Sequence, residues 1–463
     1  MPVISDRLSW LLWLCCLVVG VVALLLDVRE RHQWLSPRRW FGIGFCVLYV
    51  LAPFDMLWRG NRWFSLSTFP AMAFASALGG IAFLGGWGAR HARPQKIARG
   101  VAGATPTYAL QALLLSPVAF AALFYAVRSY GGLRELFYAS GSPMVYIDQS
   151  WYSVFSVGVA TLLVLALVWS GRLLRWRRWW VLPWAPFVVM LYALYILIAL
   201  RLGSRYRLLF MALPMLALWL ATHKRLSQWV PIVVCCGFGL FYFAFGRIRV
   251  NLVLRPDVII RQLAEYFSKG IYTDLLTAGD FDAFQNGALL LGVVPRYRPW
   301  MWGATLLSVL YNPIPRLFWP AKPSPAPGQY LIELGLGPSI VGHNNFAVSL
   351  IAELYANFSW FGVFVGMWVL GLISRRMWEW FSQNRHRQEA WLHIGLFCAY
   401  LPLVLRGSFH SMTVYYLMVA LAELLSRKLS AVIWALAPHT YRVRLRQSIV
   451  PKDDRHDKAR CVV

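Results

Sequence analysis

The run Leu66-Ser-Thr-Phe-Pro-Ala-Met-Ala-Phe-Ala-Ser-Ala-Leu-Gly-Gly-Ile-Ala-Phe-Leu-Gly-Gly-Trp87 contains no charged residue. About 20 apolar residues in an α-helix cross the roughly 30 Å of hydrocarbon in a bilayer, so this run predicts a transmembrane helix. Similar windows recur along the chain, and we predict about eleven transmembrane helices. They lie at residues 8–26, 40–58, 66–87, 107–127, 151–170, 181–200, 207–221, 229–246, 346–373, 390–405 and 411–429.

The composition of the whole chain agrees with this interpretation. Hydrophobic residues make up 59% of the sequence, and the formal net charge is +26. In a soluble protein such a charge would suggest nucleic acid, but a membrane protein concentrates Lys and Arg in cytoplasmic loops beside anionic lipid. The sequence therefore predicts an all-α polytopic membrane protein that contacts membrane lipids, and we expect no nucleic-acid partner.

The distribution of positive charge between alternate loops predicts the orientation. One set of loops, together with the C-terminal tail, holds 27 of the 45 Lys and Arg residues, and half of the others lie in a single large loop. By the positive-inside rule the first set is cytoplasmic. The predicted organisation is eight transmembrane helices in residues 1–246, a periplasmic loop with helical segments at 247–345, three transmembrane helices at 346–429 and a basic cytoplasmic tail at 430–463.

Three arginines lie between the sixth and seventh predicted helices, on the predicted outer side, in Arg201-Leu-Gly-Ser-Arg205-Tyr-Arg207. Positive charge is disfavoured there, which calls for an explanation. Guanidinium groups bind phosphate oxygens in a bidentate way, so this cluster predicts a phosphate or pyrophosphate site. The alternative is that the three side chains reach lipid phosphates.

The large loop contains several candidate residues. Its run Ile314-Pro-Arg-Leu-Phe-Trp-Pro-Ala-Lys-Pro323 presents Arg316 and Lys322 on a backbone that proline restrains. Residues 287–311 are apolar but interrupted by Arg and Pro, which predicts an interfacial or re-entrant helix. His343 suits a general base or a hydrogen-bond donor, although a loop His can also be merely polar.

Two carboxylates in the same loop, Asp280 and Asp282, are two residues apart. They could bind a sugar or a metal, and we favour a structural role, either in capping the next helix or within the loop. Two oxygen ligands do not make a metal site, so we expect no metal and no other cofactor.

The ninth predicted transmembrane helix opens with Glu353-Leu-Tyr355-Ala-Asn357-Phe. A carboxylate just inside a membrane helix is costly unless it faces a polar cavity or a cation, so Glu353 is a candidate site residue. Asn357 lies four residues later on the same helix face. A buried ion pair with an outer arginine is the alternative. Arg406, in the last outer turn Arg-Gly-Ser-Phe-His, is expected to close the same pocket.

Three motifs together resemble those of the Wzy-type O-antigen and oligosaccharide repeat-unit polymerases of bacterial inner membranes. They are Gly-Ser-Arg-x-Arg at 203–207, Ile-Pro-Arg with Trp-Pro-x-Lys-Pro at 314–323, and Glu-x-Tyr-x-Asn-Phe at 353–358, within residues 201–371. The resemblance implies an all-helical, GT-C-like glycosyltransferase without a metal. It would join glycan repeat units carried on undecaprenyl pyrophosphate at the periplasmic face, with a chain-length regulator and a flippase as expected neighbours.

The resemblance also implies roles for the candidate residues. The leaving pyrophosphate needs fixed cations, and the acceptor hydroxyl needs a proton acceptor. Glu353 or His343 would accept the proton. The residues expected to bind the pyrophosphate or the glycan are Arg201, Arg205, Arg207, Arg316, Lys322, Arg406, Tyr355 and Asn357.

Two alternatives stay open. An O-antigen ligase, which attaches the finished polymer to the lipid A core, needs the same cations, although the 314–323 run resembles the polymerases better. A transporter of lipid-linked sugars predicts charges at mid-membrane and pseudo-symmetric halves. Here the charges gather at one face, which favours a surface active site.

Overall fold

The computed structural model describes residues 7–25, 33–59, 68–89, 106–129, 132, 189–196, 205–222, 261, 282–312, 314, 319, 321–323, 327–335, 348–407 and 409–436. These residues are predominantly helical, and residues 189–196 form a short helix. The other α-helices, numbered in chain order, are α1 Arg7–Leu25, α2 Pro37–Cys46, α3 Ala52–Arg59, α4 Phe69–Gly88, α5 Pro106–Ser129, α6 Arg205–Thr222, α7 Ala283–Val293, α8 Ala304–Tyr311, α9 Pro327–Glu333, α10 Leu350–Asn384, α11 Gln388–Arg406 and α12 Phe409–Leu436.

Five of the described helices are long and apolar enough to cross a bilayer, at Arg7–Leu25, Pro37–Leu57, Phe69–Gly88, Leu350–Asn384 and Gln388–Arg406. The second of these is continuous because a π-helical turn, Val47–Leu51, joins α2 to α3. The chain is therefore a multi-pass membrane protein. Helices α5, α6 and α12 coincide with three more predicted spans. The predicted spans at 151–170 and 229–246 lie outside the described residues, and so does most of 181–200.

Helices α4 and α10 cross at very short range, and glycine makes this possible. A Cβ atom added to Gly371 would collide with the carbonyl of Phe83, and one added to Gly86 would collide with the carbonyl of Trp368. Small residues at such crossings let two membrane helices approach until their backbones touch, which increases the van der Waals contact between them. Helices α1, α2 and α7 in turn pack against members of this pair.

We expect Gly86→Leu to separate α4 from α10, because the added side chain would have to displace backbone atoms rather than a flexible side chain. Overpacking of this kind costs about 1–3 kcal/mol or more. Thermal melting of the purified protein in detergent measures the loss. Gly88→Leu on the same helix is the matched control, since a Cβ there meets nothing within 4 Å. Equal melting temperatures for the two variants would contradict the close crossing.

The short helices α7, α8 and α9, which lie in the predicted large loop, pack against the long ones. Helix α7 is buried between α4 and α10, and a Cβ on Gly287 would lie 3.0 Å from the Cβ of Ala352. Helix α9 packs on α7, and α8 packs on α12 and α10. Asp282 occupies the N-cap position of α7, but its side chain makes no capping hydrogen bond, so of the two structural roles predicted the capping role is wrong for this residue. Asp280 lies outside the described residues.

Helix α8 has an inverted distribution of polarity. Its polar side chains Thr305 and Ser308 are buried, whereas Leu307 and Leu310 are 59% and 77% exposed. A helix in water would place these residues the other way round. The arrangement fits the interfacial or re-entrant segment predicted from the sequence, with lipid on the apolar side and the protein interior on the polar side. The polar face of α8 is turned to the beginning of α10.

Candidate functional site

The first turn of α10 positions Glu353. Ser349 caps the helix, because its hydroxyl accepts a hydrogen bond from the Ala352 N–H at 3.3 Å. The Glu353 N–H donates to the Ser349 carbonyl at 2.9 Å. The helix therefore begins with its carboxylate residue in the first turn, where the helix dipole stabilises negative charge. Glu353 is completely buried.

The two oxygens of the Glu353 carboxylate differ in their surroundings. Oε2 accepts a hydrogen bond from the backbone N–H of Phe409 at 2.8 Å. Phe409 is the first residue of α12, so this N–H has no partner within its own helix. Oε1 is buried and accepts no hydrogen bond from the residues that the structure describes. One oxygen is thus held by a backbone donor, while the other has no aligned donor among the described residues, although the Thr305 hydroxyl lies near the carboxylate.

Two hydroxyl groups lie near this carboxylate. The side chain of Thr305, on α8, is close enough to interact with the Glu353 carboxylate. The Tyr400 hydroxyl, on α11, is close enough for an electrostatic interaction with the same carboxylate. The Tyr400 hydroxyl is 2.9 Å from the hydroxyl of Thr413. Helices α8, α10, α11 and α12 therefore all contribute polar groups around Glu353.

Asn357 joins α8 to α10 through its amide group. Its Oδ1 accepts a hydrogen bond from the Gly303 N–H at 2.8 Å. Its Nδ2 donates to the Thr305 hydroxyl at 2.7 Å and to the Glu353 carbonyl at 2.8 Å. Both N–H groups of the amide are therefore engaged inside the protein, and the side chain is fully buried. The structure thus places Asn357 as a clamp that holds residues 303–305 against Glu353.

Helix α10 is broken immediately after this clamp. Phe358 has φ −142° and ψ 25°, and Ser359 has φ 59° and ψ −155°. The Met301 N–H donates to the Ala356 carbonyl at 3.0 Å, which satisfies one acceptor that the break leaves free. Such a conformation costs a residue other than glycine about 1–3 kcal/mol, and strain of this kind clusters at functional sites.

The segment that faces the break is also unusual. Trp302 has φ 47° and Gly303 has φ 84°, so both adopt positive φ directly opposite Asn357. Across the break, the ring of Tyr355 packs edge-on against Trp300 at 5.4 Å and Trp360 at 4.8 Å between centroids. Tyr355 therefore belongs to an aromatic cluster that bridges the two parts of α10.

Lys322 lies close to the beginning of α12. Its side chain is buried, and Nζ donates to the carbonyls of Asn312 at 3.1 Å and Ile314 at 2.9 Å. Its charge is near enough to act on the ring of His410. The proline-rich run thus holds this cation in a fixed position beside the site.

His410 is the second residue of α12 and was not among the predicted site residues. Its Nε2 is 3.0 Å from the Ser411 hydroxyl. Its Nδ1 is buried and has no hydrogen-bond partner in the described part of the chain. A single His next to an apolar helix has no spacing signature, so the sequence pattern gave it no special weight.

The structure unites part of the predicted site. The Asn357 amide donates to the Glu353 carbonyl, and Lys322 is near enough to His410, in the first turn of α12, for its charge to act on that ring. Arg406 ends α11, partly buried, just before α12. Arg205 and Arg207 lie in the first turn of α6, but their side chains are outside what the structure describes. Arg201, Arg316 and His343 lie outside the described residues. That the arginines converge on Glu353 stays a prediction.

Comparison with known proteins supports the family resemblance. Residues 340–425 match the family model described as O-antigen polysaccharide polymerase Wzy. The resemblance predicted from the sequence is thereby confirmed for this region, which includes Glu353, Tyr355, Asn357, Arg406 and His410. Searches among curated proteins and among solved structures found no match.

Proposed function

We propose that this chain, a member of the O-antigen polysaccharide polymerase Wzy family by the match of residues 340–425, joins lipid-linked glycan repeat units. The observation that carries the proposal is the carboxylate of Glu353, which lies inside the matched region. One oxygen is fixed by the Phe409 N–H, and the other is buried without a partner among the described residues. This is the arrangement that a positioned proton acceptor needs.

In the proposed reaction, a hydroxyl oxygen of the acceptor repeat unit attacks the anomeric carbon of the donor chain. A new glycosidic C–O bond forms, and the C–O bond between that carbon and undecaprenyl pyrophosphate breaks. The pyrophosphate leaves with the electron pair. Glu353 Oε1 accepts the hydroxyl proton, with His343 as the other candidate for this role. General-base catalysis of this kind contributes about 10²–10⁴-fold to a rate.

Negative charge that develops on the leaving pyrophosphate requires fixed cations. We propose that one set of basic residues meets this need, with Lys322 held beside the site by two carbonyls. Tyr355 and Arg406 complete the proposed substrate contacts, and Asn357, predicted from the sequence as a further contact, holds residues 303–305 against Glu353 instead. The other members of the basic set are Arg201, Arg205, Arg207 and Arg316.

The direct test supplies purified protein in detergent with synthetic undecaprenyl-pyrophosphate-linked repeat units. We expect a ladder of products, each longer than the last by one repeat. Because detergent provides no second compartment, a ladder excludes a pure transporter. Absence of any product with every repeat type tried would contradict polymerisation.

A deletion strain separates the polymerase from the ligase. Lipopolysaccharide that carries a single repeat is expected if the chain is a polymerase. Lipid-linked polymer that never reaches the lipid A core would instead identify a ligase. We place the protein in the bacterial inner membrane with its site at the periplasmic face, next to a flippase and a chain-length regulator.

We expect Arg205→Ala to abolish long polymer, and Arg205→Lys to fail as well, because lysine cannot bind phosphate through two parallel N–H groups. Ladder length on gels measures the effect. Arg376→Ala is the control, since Arg376 is an exposed arginine at the predicted cytoplasmic side. Full activity of Arg205→Lys would show that bidentate binding is not the reason for arginine here.

A further inference from the structure

His410 has a buried ring nitrogen that lacks a hydrogen-bond partner in the described part of the chain. Nδ1 is shielded from solvent and forms no hydrogen bond with the described residues. Nearly all buried polar atoms in proteins are hydrogen-bonded, and leaving one unpaired is costly. A buried nitrogen without a partner at the edge of the proposed active site therefore indicates that a ligand atom completes it.

The charge around His410 determines which kind of ligand atom fits. The ammonium of Lys322, fixed by the carbonyls of Asn312 and Ile314, acts on the ring. The ring also stands in the first turn of α12, where the helix dipole is positive. Both influences favour a negatively charged partner over a cation, whereas the Glu353 carboxylate, bound by the N–H of the preceding residue Phe409, acts in the opposite direction.

The contact of the other ring nitrogen, Nε2, allows the tautomer in which Nδ1 carries the proton. Nε2 lies 3.0 Å from the Ser411 hydroxyl. When that hydroxyl donates to Nε2, the proton of the neutral ring resides on Nδ1, which then points a donor at the ligand. A phosphoryl oxygen accepts hydrogen bonds strongly, and it carries the negative charge that Lys322 and the helix dipole favour.

We propose that His410, through Nδ1–H and in the field of Lys322, binds a phosphoryl oxygen of the pyrophosphate in the lipid-linked substrate. This assignment rests on the proposed function. It adds a phosphate contact at His410, next to Phe409, whose N–H orients the Glu353 carboxylate. Phe409 holds the carboxylate through its N–H, and His410 follows it directly in the chain. The proposed base and the phosphate contact are thus set by consecutive residues of one helix turn.

The test measures binding of inorganic pyrophosphate to the purified full-length protein by isothermal titration calorimetry. Dodecyl maltoside is the detergent because it contains no phosphate. We expect His410→Phe to weaken binding at least about 10-fold, as loss of a hydrogen bond to a charged group does. His410→Asn, whose amide N–H can replace Nδ1–H, is expected to retain most of the affinity. His386→Phe is the matched control, because His386 follows α10 at the predicted cytoplasmic end.

Each outcome decides the assignment, provided that all variants melt at the wild-type temperature. Equal affinity of His410→Phe and wild type would overturn it, and so would absence of pyrophosphate binding by wild type. Phosphatidylglycerol added to the micelles shows whether the phosphate of a membrane lipid occupies the same site. If it displaces pyrophosphate as effectively as further pyrophosphate would, the site binds lipid headgroups and the assignment to the substrate is overturned. If wild type forms no ladder but His410→Phe still loses pyrophosphate binding, the proposed function fails and the phosphate contact stands.

Discussion

Glu353→Gln is expected to lower the rate of polymer formation by about 10²–10⁴-fold, which is the usual contribution of a general base. Glutamine has nearly the same shape, and its carbonyl oxygen can still accept the Phe409 N–H, as Oε2 of Glu353 does. The amide cannot accept the proton of the acceptor hydroxyl. The variant should therefore fold, insert and bind substrate while losing turnover.

The ladder assay with purified protein measures this loss, and Glu379→Gln on the same helix is the control. Glu379 pairs with Arg375 at 2.8 Å and is partly exposed, so its loss should leave the rate unchanged. His343→Gln tested in parallel identifies the base. Wild-type rates for Glu353→Gln together with a large loss for His343→Gln would move the proton acceptor into the large loop.

Asn357→Leu is expected to cause a large loss of stability and, with it, of activity. Leucine is similar in size but makes none of the hydrogen bonds to Gly303, Thr305 and the Glu353 carbonyl. Each buried group that loses its partner costs about 1–3 kcal/mol. The segment opposite the break in α10 would no longer be held against Glu353.

Thermal melting and the ladder assay together show which role of Asn357 dominates. Asn384→Leu is the control, because among the described residues the Asn384 amide bonds only to the Trp380 carbonyl, near the far end of α10. A variant at position 357 that melts like wild type and still loses activity, with a raised KM, would support the substrate contact predicted from the sequence. Wild-type stability and activity would contradict both roles.

Much of the helical arrangement could be predicted because each membrane helix satisfies its own backbone hydrogen bonds. A local apolar run is therefore nearly sufficient to predict a membrane helix. A helix was predicted at residues 66–87, and Phe69–Gly88 is observed. The same reasoning indicated Glu353, since a carboxylate in such a run needs a polar partner, and the structure buries it completely.

The break in α10 could not be predicted in this way. Neither Phe358 nor Ser359 is a proline or glycine, and the bonds that stabilise the break come from Met301 and Gly303, more than 50 residues earlier in the chain. Phe409 was also missed, because it reaches Glu353 through a backbone N–H that every residue except proline carries.

Sequence patterns also do not show whether a polar residue faces the substrate or the protein. Lys322 and Asn357 were predicted to contact substrate. In the structure the first donates to two carbonyls, and the amide of the second is engaged by its neighbours. A lysine and an asparagine at these positions are typical of a binding site. Which groups they bond to depends on other segments of the chain, and the local sequence does not identify those partners.

The bond between Glu353 and Phe409 has a consequence for how the protein is made. The ribosome synthesises residues 303–305, which the Asn357 clamp holds, before α10, but it synthesises Phe409 56 residues after Glu353. Until α12 has entered the membrane, the carboxylate lacks its backbone donor. The carboxylate therefore lacks this one hydrogen bond while α11 is inserted, and the contacts around Glu353 are complete only when α12, the last described helix, docks.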